Sequence, residues 1–113
     1  MPLESEDVIG YPVYCGPKPE IVNCVTDWVR TNDKKCHYFA CLNPHSAEVA
    51  GGDPVFHNAL ICADFLTADG IGVVLASRML GGKIRDRITG TDIFLGVNEV
   101  LNREQGASCF FLG

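Results

Sequence analysis

Residues 63–92, ADFLTADGIGVVLASRMLGGKIRDRITGTD, contain the unit whose reading decides the fold. Phe65 to Ala68 is an apolar run of strand length that meets an acidic turn at Asp69-Gly70. Residues 71–80 continue as an apolar helical segment, and Gly81-Gly82 break it. Lys83, Arg85 and Arg87 make the next loop basic. Thr91 or Asp92 then caps a second helix that runs to Asn102 or Arg103. A strand that ends in a carboxylate presents it where open α/β sheets bind ligands. An arginine followed by Thr89-Gly90-Thr91-Asp92 supplies groups able to hold phosphate.

The same alternation extends on both sides. Val8 to Tyr14, with Gly10 and Pro12, reads as an edge strand or hairpin arm closed by Gly16-Pro17. Pro19 opens a helix whose apolar face is Ile21, Val22, Val25, Trp28 and Val29, and Thr31-Asn32-Asp33 stop it. Residues 37–42, HYFACL, read as a strand buried on both faces, ended by Asn43-Pro44. Ser46 to Ala50 gives a turn or two of helix before Gly51-Gly52. Asp53-Pro54 starts another, reaching about Cys62. Residues 107–112, ASCFFL, read as a last buried strand. This order predicts one α/β domain over residues 1–113, with a Rossmann-like, largely parallel sheet and flanking helices. Residues 1–7 are assigned to a flexible N-terminus. The sheet is expected to be truncated after the strand ending at Gly113, leaving an edge for a partner or a second copy, hence a possible homo-oligomer.

Composition narrows the function. With 113 residues and 47% hydrophobic content the chain can bury a core and is not a disordered segment. A net charge of −5 removes the bulk electrostatic case for nucleic acid. No apolar run approaches the roughly 20 residues of a membrane span, and the acidic start MPLESEDV is unlike a signal peptide, so a cytosolic location is the default. The six cysteines form no CxxC pair, and Cys24, Cys62 and Cys109 sit in apolar runs where a thiol acts as a small hydrophobe. His37, His45 and His57 lack ligand spacing, so no metal and no cofactor is assigned. Cys41 lacks an activating partner, which argues against a thiol enzyme.

Two readings stand at each candidate position. Asp69-Gly70 is either turn chemistry or a general base that takes the proton of a substrate hydroxyl. Arg87 with Thr89, Gly90, Thr91 and Asp92 is either a capped helix behind a solvated loop or a diphosphate site, although Asp92 would compete with an anion for the same amides. Asn43 is either a strand-end turn or a side-chain amide at the ligand edge beside Asp69.

In this order the segments Leu42-Asn43-Pro44-His45, Asp69-Gly70-Ile71-Gly72-Val73-Val74, Arg87-Ile88-Thr89-Gly90-Thr91-Asp92 and Phe110-Phe111-Leu112-Gly113 resemble the WecG/TagA/CpsF glycosyltransferases. The resemblance covers about residues 8–113, the N-terminal portion of such enzymes. These bacterial enzymes build surface polysaccharide and wall teichoic acid. The resemblance implies an inverting transferase that moves N-acetylmannosamine or a related hexose from a UDP donor. Its acceptor is a sugar on a polyprenyl diphosphate at the inner membrane surface, and no metal is needed. It implies Asp69 as the base, with Cys41, Asn43, Gly70, Arg87, Thr89, Gly90, Thr91 and Asp92 lining the substrate pocket. The family usually has threonine where this chain has Cys41. Its members continue past Gly113 into a portion that completes the nucleotide pocket and docks on the membrane. The alternative is a catalytically incomplete nucleotide-binding or oligomerising fragment of that fold.

Overall fold

The computed structural model describes residues 3–31 and 34–112, so the expected stop at Asn32-Asp33 and the terminal Gly113 lie outside the described residues. Strands β1 (Ser5–Val8) and β2 (Tyr11–Tyr14) precede helix α1 (Lys18–Arg30). Next come β3 (Phe39–Leu42), α2 (Pro44–Gly51), α3 (Pro54–Ile61), β4 (Phe65–Ala68), α4 (Ile71–Met79) and α5 (Gly90–Leu101). The sheet order is β1-β2-β4-β3; β2 and β3 both run parallel to β4, and β1 pairs antiparallel with β2. The domain is therefore α/β with a mostly parallel four-stranded sheet, as the alternation of segments implied.

Helices cover both faces because successive strand residues point opposite ways. Leu66 and Ala68 join Val8, Val13, Leu42, Leu60, Val73 and Val74 in one buried cluster under α2, α3 and α4. Phe65 faces the other way and packs with Tyr14, Ile21, Ile88 and Ile93, beneath α1 and α5. Phe39 and Phe65 stack across the β3–β4 pair with ring centroids 4.9 Å apart. Local starts follow their sequence signals. The Asp53 carboxylate accepts from the amides of Val55 and Phe56 at 3.1 Å, so Asp53-Pro54 does open α3.

Four expectations are corrected. Ser5 to Asp7, assigned to a flexible terminus, belong to β1, which a tight turn at Ile9 and Gly10, both at positive φ, folds onto β2. β3 is not buried on both faces; it ends the sheet, and Phe39, Ala40 and Cys41 are only half-buried. Helix α5 is capped by Thr89, two residues earlier than expected, because Thr89 and Asp92 satisfy each other's amides. Residues 107–112 form no strand: Phe110, Phe111 and Leu112 are 86%, 71% and 94% exposed. Cys62 and Cys109 are likewise exposed, and all six thiols are free.

Candidate active site

The parallel pair β3–β4 ends with Leu42 opposite Ala68, so Asn43 and Asp69 are the next residues on each strand. The Asp69 amide donates to the Leu42 carbonyl at 3.0 Å and extends the ladder by one step. Both residues therefore sit at the C-terminal edge of the sheet, side by side. The half-buried Asp69 carboxylate has no hydrogen-bond or ion-pair partner among the described residues. It is not consumed by turn chemistry. Gly70 follows at φ 122°, ψ 146°, a conformation essentially confined to glycine, and it starts α4 without a side-chain cap. A Cβ at Gly70 would lie 3.8 Å from the Asn43 Cβ, which brings the two strand ends into contact.

Asn43 combines both of its sequence readings. Its Oδ1 accepts the Ser46 amide at 2.8 Å, and its own amide donates to the Ser46 hydroxyl at 2.9 Å, forming a reciprocal cap on α2. That fixes the side chain in one rotamer, while the Nδ2 group has no acceptor among the described residues. A fixed amide donor beside a carboxylate can orient a sugar hydroxyl.

Cys41 pairs in register with Thr67 and lies on the α1/α5 face; the Thr67 hydroxyl donates to its Sγ at 3.3 Å. A Cβ at Gly90 would stand 3.8 Å from that sulfur, so the small residue lets α5 start directly over the sheet. Thr89 Oγ1 accepts the Asp92 amide at 3.1 Å, and Asp92 accepts the Thr89 amide at 3.0 Å. The Thr89 amide, then its hydroxyl, hold the Asp92 carboxyl below the usual carboxylate range, and the charges of Lys18 and Arg87 add to this. Thr91 is exposed on the first turn. Thr89 and Asp92 thus spend their polar groups on the cap.

Arg87 does not share a cavity with Asn43 and Asp69. It lines an adjoining cleft with Tyr14, Lys18, Ala68, Lys83, Arg85 and others. The two regions meet at β4, where the Ile88 amide donates to the Ala68 carbonyl at 2.8 Å, one residue before Asp69. The loop carrying Arg87 is held from an unexpected quarter. Glu6 of β1 accepts the Lys83 amide at 2.6 Å and the hydroxyl of buried Ser77, which in turn accepts the Ile84 amide at 3.2 Å. Burial would raise the Glu6 carboxyl, but the Lys83 and Ile84 amides and the Ser77 hydroxyl outweigh it and lower the pKa. A Cβ at Gly82 would collide with this carboxylate and with Ser77 Oγ, so the loop fits only with glycine there. Nothing in an acidic N-terminal tetrad marks such an anchor in sequence.

The family model for Glycosyl transferase WecG/TagA/CpsF matches residues 6–113. Among curated proteins, the chain is 29% identical over 80 residues to the N-acetylglucosaminyldiphosphoundecaprenol N-acetyl-beta-D-mannosaminyltransferase of Bacillus spizizenii strain W23, covering 71% of this chain and 31% of that protein. It is 34% identical over 64 residues to the protein of the same name from Bacillus subtilis strain 168, covering 57% of this chain and 25% of that protein. The matched region thus spans about a third or less of the relatives' length.

Proposed function

The chain belongs to the WecG/TagA/CpsF family of glycosyltransferases, and on that premise we propose that it carries the base-bearing portion of an inverting sugar transferase with a Rossmann-like core. The donor is a UDP-hexose, N-acetylmannosamine or a close relative, and the acceptor is a sugar on a polyprenyl diphosphate. The names of the two Bacillus relatives support that acceptor class. The product enters surface polysaccharide or teichoic acid. Among the described residues no helix is long and apolar enough to cross a membrane; the proposed mode of work is peripheral, at the inner face where the lipid acceptor lies.

The observation that carries this reading is the pair Asn43 and Asp69 just past the last rung of β3 and β4, with the Asp69 carboxylate unengaged. The acceptor hydroxyl oxygen attacks the anomeric carbon of the donor. Asp69 takes its proton, the bond from that carbon to the diphosphate oxygen breaks, and UDP leaves with the electron pair. One displacement inverts the anomeric centre. Asn43 orients the reacting sugar, Gly70 lets the backbone turn close to it, and Arg87 offsets the charge growing on the diphosphate. Thr89, Gly90, Thr91 and Asp92 contribute by seating α5 over Cys41.

The test is transfer from UDP-N-acetylmannosamine to a GlcNAc-diphosphate-lipid analogue by the full-length gene product, with the new linkage read by NMR. A β-linked disaccharide from the α-configured donor supports the reading. A retained anomeric configuration, or donor hydrolysis without transfer, contradicts it.

A further inference from the structure

We propose that the cleft beside β2 is a diphosphate-binding subsite in which Lys18 and Arg85 act together with Arg87. The cleft holds about 360 Å³, within the range of about 300–1,000 Å³ typical of small-ligand sites. Its walls are the β2–α1 connection (Tyr14 to Lys18), the end of β4 at Ala68, and residues 83–88.

Charge singles it out. The chain carries nine lysines and arginines and a net charge of −5. Four of those nine cations, Lys18, Lys83, Arg85 and Arg87, line this one cleft against the single carboxylate of Asp86. Concentrating positive charge in a concave site of an acidic protein raises the local concentration of an anion and favours multivalent ones. The cations are not equally committed. Lys83 Nζ is paired with Glu4 at 2.6 Å, and both partners are exposed, so Lys83 is the least available. Arg85 spends Nη1 on the Gly82 and Ile84 carbonyls at 2.8 and 3.2 Å, which fixes the guanidinium plane. Lys18 and Arg87 come from opposite walls, yet the charge of each lowers the Asp92 carboxyl, so both reach the same mouth.

Rigidity separates this cleft from a solvated basic loop. Burying Ser77 at 1% exposure, accepting the Lys83 amide on Glu6 and excluding a side chain at Gly82 hold the loop in one path. On the other wall, the Tyr14 hydroxyl donates to the Pro17 carbonyl at 2.7 Å, and its ring leaves no room for a Cβ at Gly16. A planar guanidinium held this way can meet two phosphate oxygens at once. Diphosphate is the fitting class because cations on both walls match a ligand with charge on two phosphorus centres. Anion binding stands on these observations alone; that the diphosphate belongs to a donor nucleotide or a lipid acceptor rests on the function proposed above.

The experiment is a titration of the 113-residue chain with inorganic pyrophosphate, followed by calorimetry and by amide shifts of residues 15–18 and 83–88. Saturable binding is expected, weakened about three- to tenfold by Lys18→Gln or Arg85→Gln, as for the loss of one partly exposed charge-assisted contact. Arg103→Gln, on α5's far end, leaves it unchanged. Absence of saturable binding, or equal weakening by Arg103→Gln, overturns the proposal. UDP and geranyl diphosphate form two further arms. Whichever competes with pyrophosphate identifies the source as donor or acceptor, and competition by neither overturns the diphosphate assignment. Pyrophosphate binding with these sensitivities but no sugar transfer would uphold the subsite and remove the transferase reading. Sugar transfer without pyrophosphate binding would do the reverse.

Discussion

Replacing Glu6 by alanine tests how the basic loop is held. The carboxylate accepts the Lys83 amide at 2.6 Å and the Ser77 hydroxyl, and Ser77 is 1% exposed. Alanine would leave that hydroxyl without its acceptor and the Lys83 amide without its partner. Hydrogen bonds to a charged group contribute about 1.5–3 kcal/mol, and stranding a buried polar group costs about 1–3 kcal/mol. Glu6 is only half-buried and water can reach part of the site, so the net loss is placed at about 2–3 kcal/mol. For a domain of this size that lowers Tm by roughly 8–12 °C. The variant also separates charge from anchoring. Removing a negative charge near the cleft strengthens anion binding if the loop stays in place, and loss of the anchor weakens it. The sign of the pH dependence is fixed as well. A carboxyl lowered on folding contributes stability that is complete above its unfolded value, near 4.5, and is lost as pH falls through the folded pKa. Wild type should therefore lose stability as the medium is acidified below that value, and Glu6→Ala should lose less. Calorimetric melts between pH 7 and pH 3 measure both effects. A Tm within about 2 °C of wild type at pH 7, with the same acid slope, would refute the anchor.

Gly70→Ala should destabilise the domain by about 1–3 kcal/mol through backbone strain, since φ is 122° while the nearest side-chain atom leaves room for a methyl; chemical denaturation measures it. Arg87→Ala should weaken UDP-sugar or lipid-diphosphate affinity while leaving the fold intact, as its exposed side chain has no packing role; unchanged affinity for both ligands would restore the plain capped-helix reading. The chain alone should self-associate through the unpaired outer edge of β3 and the exposed Phe110, Phe111 and Leu112. Light scattering should show a shift toward monomer when both phenylalanines become serine.

Signals local to a few residues were legible in the sequence. The run from Phe65 to Ala68, the Asp53-Pro54 start and the glycine break after α4 all rest on propensity and caps, and each stands where expected. Long-range pairing was not legible. Glu6 looked like part of a solvated acidic tail because its partners, Ser77 and Lys83, lie more than seventy residues away. Residues 37–42 looked fully buried because apolar content does not reveal which strand ends the sheet. The segment 107–112 has strand composition, yet composition pairs with nothing by itself, and no described residue offers its backbone a ladder. At the site, adjacency of Asn43 and Asp69 followed from the parallel register. The separation of Arg87 into its own cleft did not, because it depends on the path of residues 81–88.

The central claim is that Asp69 is the base of a sugar transfer. Its most direct test is single-turnover transfer to a GlcNAc-diphosphate-lipid analogue by the full-length gene product and by Asp69→Asn. The expected result is a rate reduced by about 10² to 10⁴ with UDP-sugar affinity and Tm little changed. Near-normal turnover in Asp69→Asn would contradict it.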